Sequence, residues 1–249
     1  MTCSNRRKIS SLVVMGLIGM MSAACRRDVA PINRIYYNPY PRQQSMVVTP
    51  FLNQSGCENL DPMAVTDEFY AELQQVEGLQ VVPVNRVLAA LAQLGLAKVS
   101  SPAEALALAK ALDADSVMVG SITQYDPYPP PKVGMAVQLY ARDRQDNQQT
   151  EALHVNPGEM ARAAKNLELS IGQYMQPRAA VVRILDADRD EVIKRIKQYA
   201  EKRSGRKSPT GWQTYTTSRN YLRFVAHEII GELLAQERFR LNTPERQDQ

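Results

Sequence analysis

His227-Glu228-Ile229-Ile230-Gly231 opens like the zinc-peptidase pattern H-E-x-x-H, in which two imidazoles one helical turn apart share a metal and the glutamate activates water. Gly231 stands where the second imidazole is needed, and His154 is the sole other histidine, so metalloprotease chemistry is rejected. His227 is expected as a rim residue beside an apolar helix stripe. Asp186, Asp188, Asp190 and Glu191 form an acidic group where a strand hands over to a helix. Such carboxylates could serve a hydrolytic site, but the dipole at a helix start stabilises them without any metal. There is no G-x-G-x-x-G turn, Walker loop or G-x-S-x-G elbow, so no catalytic residue, cofactor or metal is assigned. What remains is a basic run (Lys194, Arg195, Lys197, Lys202, Arg203, Arg206 and Lys207) followed by Trp212 and Tyr215. Cations beside an indole and a phenol suit recognition of phosphates, teichoic or lipid head groups, or an acidic protein surface.

The chain has 249 residues, 44% hydrophobic and 22% charged, which excludes a wholly disordered or collagen-like protein. Its net charge of +4 invites a nucleic-acid reading that the placement of charge removes. Residues 1–24 carry Arg6, Arg7 and Lys8 and no acid, leaving 27 basic and 26 acidic side chains, a net of +1, beyond them. Between Asp188 and Lys207 lie eight basic and four acidic residues, so that stretch holds a local +4 and the rest about −3. Three cysteines, Cys3, Cys25 and Cys57, make no disulfide framework.

The basic start, the apolar run from Ile9 to Met21 and the small residues Ser22-Ala23-Ala24 form an export-signal pattern. The run is shorter than the roughly 20 residues a membrane-spanning helix needs. Ser22-Ala23-Ala24-Cys25 resembles the lipobox of bacterial lipoproteins, with Ser22 where leucine is usual. That resemblance implies that Cys25 becomes the lipidated N-terminus. Because Arg26 rather than aspartate follows, it also implies anchoring in the outer membrane facing the periplasm. Residues 25–44, with three prolines and Tyr36, Tyr37 and Tyr40, read as an extended tether of roughly 60 Å at most, its tyrosines docking on the domain. An exported lipoprotein does not meet the chromosome, so nucleic acid is not among its partners.

The elements that must hold these residues follow. Ser45–Phe51 reads as a strand closed by the turn Asn53–Gly56, and Val65, Phe69, Leu73 and Val76 stripe a helix over 61–76. A second strand spans 79–84, with Pro83 placing it near an edge. Asn85 is expected to cap the next helix, and Ser101-Pro102-Ala103-Glu104 is a capping box opening another. Strands 116–124 and 133–141, joined by a short proline-rich turn, should pair as neighbours. A short helix is expected near 159–166, a strand at 178–187 and a charged helix at 188–203 with Val192, Ile196 and Tyr199 inward. The final helix carries Leu222, Val225, Ile229, Ile230 and Leu233. The order predicts one α/β domain over 45–241, a mixed β-sheet covered by helices in a three-layer arrangement, with a polar tail at 242–249.

Three segments resemble the CsgG-like family, which holds a curli secretion channel subunit and LpoB-like lipoprotein activators of peptidoglycan synthases. They are Val47-Val48-Thr49-Pro50-Phe51 with Asn53 and Gly56; 65–73 with 79–87; and Ala109–Ile122 with Val119-Gly120. Asp113 stands where that family often has glycine. The resemblance implies a lipid-anchored, non-enzymatic envelope domain that binds an envelope protein or itself. The candidate contact residues are Lys194, Arg195, Lys197, Arg203, Arg206, Lys207, Trp212 and Tyr215. A secretion-channel subunit is the alternative implied by the same family. Residues 144–176 lack the alternation of a membrane strand, which argues against a pore. An envelope hydrolase built on Asp186–Glu191 is the second alternative.

Overall fold

Met46, Val47 and Val48 are all buried, as a strand covered on both faces requires. They lie in β1 (Gln44–Val48) of a computed structural model that describes residues 36–142, 176–206 and 211–243. The sheet order is β3 (Leu79–Val81), β1, β4 (Ser116–Asp126), β5 (Lys132–Ala141) and β6 (Ala179–Asp186), and the two-residue β2 (Leu52–Asn53) also pairs with β4. β1 runs parallel to β3 and β4, whereas β4, β5 and β6 are antiparallel neighbours. The sheet is therefore mixed, as the element order predicts, and the short β3 that ends before Pro83 lies at one edge.

Successive residues divide between two cores. Met46, Val48, Met118, Ile122, Met135 and Val181 meet α1 (Pro62–Leu73), α4 (Asp190–Ser204) and α5 (Ser218–Asn242) on one face. Val47, Val117 and Tyr140 meet α2 (Val84–Gln93) and α3 (Pro102–Ala111) on the other. Helix, sheet and helix thus make three layers. The helical stripes read from sequence are those that bury: Val65, Phe69 and Leu73 in α1, and Leu222, Val225, Ile229, Ile230 and Leu233 in α5. Each such side chain contributes roughly 1.5–3 kcal/mol. No helix among the described residues is long and apolar enough to cross a membrane.

Local chemistry explains where the boundaries moved. The expected strand 45–51 ends at Val48, because the Phe51 amide donates to Thr66 Oγ1 (2.9 Å) in α1 instead of joining the ladder. The Phe51 ring then lies over Gly120, where a Cβ would sit 2.4 Å from its Cε1. The Pro-Phe turn and the Val-Gly strand thus fit each other. Asn85 does not cap α2. The cap position falls at Pro83, and the Asn85 carboxamide accepts from the next amide, Arg86 N, at 2.8 Å. The Ser101–Glu104 capping box forms as expected. Asp113 adopts φ +49°, the left-handed conformation that favours glycine and that aspartate tolerates better than most residues.

The start of the described chain is fixed to the domain. Asn38 N donates to Glu77 O (2.8 Å), Asn38 Nδ2 to Gly78 O (3.0 Å), and the Tyr40 hydroxyl to Glu237. Tyr36 stacks on His227 with ring centroids 4.6 Å apart, whereas Tyr37 is exposed. Residues 36–43 therefore form a strap on the fold. The helix expected at 159–166, the export signal and Cys25 lie outside the described residues.

Candidate functional site

The basic run lies on α4 and just beyond it. Asp190 and Glu191 occupy the first turn of that helix and Lys202 and Arg203 the last, matching its dipole at both ends. Val192, Ile196, Tyr199 and Ala200 bury its inner side. Lys194, Arg195, Lys197 and Arg206 are exposed on the outside. Trp212 and Tyr215 follow in a short 3-10 helix (Trp212–Thr216), both half-buried against the same core. Lys197 Nζ sits 4.9 Å from the Trp212 ring centroid, a cation–π contact. Tyr215 meets Tyr199 edge to face at 5.2 Å.

The structure thus brings together most of the sequence-derived candidates and divides them by role. Lys194, Lys197 and Arg206 face solvent, with Lys197 over Trp212. Arg195 is tied to Glu228 (2.9 Å) on α5, and Arg203 donates to Gln75 Oε1 (2.5 Å) and lies 3.3 Å from Glu72. Arg203 therefore holds α4 against α1 and has less freedom to meet a partner. Lys207 lies outside the described residues.

Beneath this face is a polar hub with no local signature in the sequence. Glu72 is almost wholly buried; its Oε1 accepts from the Tyr199 hydroxyl (3.0 Å) and its Oε2 lies 3.7 Å from His227 Nδ1. His227 is not on a rim. It is buried between Tyr36 and Tyr199, because the strap covers the α5 surface that the helix alone would expose. Burial, then the nearby charge of Glu72, pushes the Tyr199 phenol well above its ordinary range; burial and the charges of Glu228 and Glu72 do the same to Tyr36. A second buried carboxylate, Glu68, accepts from both Arg219 and Arg223 of α5. A carboxylate at a core-facing position of α1 was the available sequence signal, but its partners lie some 150 residues away.

The acidic junction is occupied by structural work. Asp186 pairs with Lys132 (2.6 Å), which holds its carboxyl below the usual range, and it also accepts the Asp188 amide (3.1 Å). Asp188, Asp190 and Glu191 are exposed at the helix tip. Among the described residues, no group of three or more His, Cys, Asp or Glu side chains is placed to hold a metal.

No family model and no curated protein matches the chain. Solved structures do. The C-terminal domain of LpoB from Salmonella enterica matches at 18% identity with a TM-score of 0.35, over 40% of this chain and 73% of that one. A hypothetical protein from Chlamydia trachomatis matches at 11% identity and a TM-score of 0.40, over 78% and 97%. A lipoprotein from Neisseria meningitidis matches at 19% identity and 0.31, over 52% and 96%.

Proposed function

We propose that this chain is a lipid-anchored, non-enzymatic protein of the cell envelope, held at Cys25 in the outer membrane and facing the periplasm. Its α/β domain docks on an acidic surface of another envelope protein. The observation that carries the docking reading is Lys197 lying over Trp212, with Lys194 exposed about one turn earlier on the same helix. Trp and Tyr are among the residue types that dominate binding energetics at interfaces, and exposed cations beside them favour an acidic partner. The role that the sequence resemblance supports within this reading is regulation of an envelope-polymer synthase.

The strap refines the anchor. Only 10 residues lie between Cys25 and Tyr36, where the chain meets the fold, so over those eleven steps the domain can stand at most about 35–40 Å from the lipid. That is well short of the roughly 60 Å that a free tether to residue 44 allows. Two or more acyl chains on Cys25 suffice for stable anchoring. Envelope fractionation with intact-mass measurement tests this part. Wild type is expected in the outer-membrane fraction with its N-terminus at an acylated Cys25, and Cys25→Ala in the soluble periplasm. An unmodified, soluble wild type overturns the anchor.

A further inference from the structure

Two recesses open side by side around the first residues of β1 and β4, on the sheet end where the strap enters. The larger, about 550 Å³, is lined by Arg42 of the strap, Arg86 of α2 and Asp113 at the end of α3. The smaller, about 250 Å³, is lined by Ser116, Arg142 and Arg178. Gln44 and Asp115 line both, so they adjoin. None of these residues belongs to the α4 face.

The two acids here are already committed to neighbours. Asp115 accepts from Ser45 N (2.7 Å) and Ser45 Oγ (2.8 Å), which fastens β4 to β1. Asp113 accepts from Arg142 Nη1 (3.0 Å) and so sets that guanidinium in place. Arg42, Arg86 and Arg178 take part in none of the ion pairs among the described residues. Four arginines against two aspartates leave an excess of two positive charges on the lining, and Glu237, which feels the charge of Arg178, is itself paired with Arg240. The strap is what adds Arg42: Asn38 Nδ2 donates to the Arg42 carbonyl (2.8 Å), closing a turn that contains the docked Tyr40.

We propose that the two recesses form one anion-binding trough, in which Arg42, Arg86, Arg142 and Arg178 take a ligand bearing two or more carboxylate or phosphate groups. Guanidinium forks fit both oxyanions by paired N–H donors. Recesses on both sides of Asp115 suit a multivalent ligand better than a single ion. The trough is independent of the docking face, so either can fail alone.

The test is calorimetric titration of the full lipidated chain in neutral detergent with two probes, tripolyphosphate and citrate. Binding of one or both is expected and shows which oxyanion the trough prefers. Higher salt should weaken it. Arg42→Glu combined with Arg86→Glu, and Arg178→Glu separately, should each weaken binding at least tenfold. Arg42 and Arg86 are exposed, so the urea unfolding midpoint of that double variant should stay near that of wild type, whereas Arg178→Glu also reverses a charge acting on Glu237 and is compared at its own midpoint. Reversals on the α4 face, Lys194→Glu with Lys197→Glu, should leave affinity within twofold. Absence of binding to both probes overturns the proposal, as does equal weakening by the α4 reversals.

Discussion

Gly231→Ala sets two opposed effects on one atom. In an exposed helix interior, glycine to alanine stabilises by about 1 kcal/mol. At Gly231 of α5 the new Cβ would lie 2.2 Å from Tyr36 Oη and 2.6 Å from Cζ. The ring must retreat by more than about 1 Å to reach ordinary contact distance. It cannot do so and keep its stack on His227, where the centroids are 4.6 Å apart at 28°. The stack is worth roughly 0.5–1.5 kcal/mol, and the half-buried ring adds about 1 kcal/mol of lost burial. Some 2 kcal/mol lost against 1 gained predicts a net destabilisation of about 1 kcal/mol. In a Tyr36→Ala background the obstacle is gone, and Gly231→Ala should instead stabilise by about 1 kcal/mol. Urea unfolding of wild type, both single variants and the double variant measures the coupling, expected near 2 kcal/mol. The same effect of Gly231→Ala in both backgrounds would refute the docked strap and the short tether that follows from it.

Glu68 shares its buried carboxylate between Arg219 and Arg223, so either arginine alone should compensate for much of the loss of the other. Arg219→Ala with Arg223→Ala should cost about 3–5 kcal/mol and exceed the sum of the single variants, because only then is a buried charge left alone; strict additivity in urea melts would contradict this. Burial raises the Glu237 carboxyl, but hydrogen bonds from Arg240 and Tyr40 and the charges of Arg240 and Arg178 outweigh it, leaving the group below its ordinary value of 4.5. The stability it contributes is therefore complete above about pH 4.5 and lost as the pH falls through the lowered folded value. Glu237→Gln should flatten the fall in unfolding midpoint across that window, and an unchanged slope would count against the assignment. Ser101→Ala, which removes the capping-box acceptor from Glu104 N (3.2 Å), should cost about 1 kcal/mol by the same assay, and no loss would contradict the role of the box.

Local pattern carried most of the scaffold. The Val65–Phe69–Leu73 stripe, the Ser101 box and the apolar run of β1 are fixed by neighbours a few residues away, and all stand where periodicity puts them. Asn85 misled because Pro83, two residues earlier, can already start a helix, which moves the asparagine into the first turn. His227 looked like a rim residue because its cover, Tyr36, comes from the far end of the chain. Glu68 and Glu72 form polar centres only through Arg219, Arg223, Tyr199 and Arg203, partners that no helical or strand period links. The basic and aromatic residues of the α4 face were legible as types. Their division into solvent-facing Lys194 and Lys197 and internally tied Arg195 and Arg203 depends on helix packing, which sequence spacing does not encode. The trough escaped notice for a similar reason: its arginines come from the strap, α2 and the ends of β5 and β6, each unremarkable alone.

The docking claim is tested most directly by site-specific photo-crosslinking in intact envelopes, with the reactive side chain placed at Gln213, exposed in the 3-10 helix beside Trp212, and in a control at exposed Leu88 on the opposite helical layer. The account predicts a discrete adduct from Gln213, lost on Lys194→Glu with Lys197→Glu and absent from Leu88. An adduct of equal yield from Leu88, or one from Gln213 that survives the charge reversals, would contradict it.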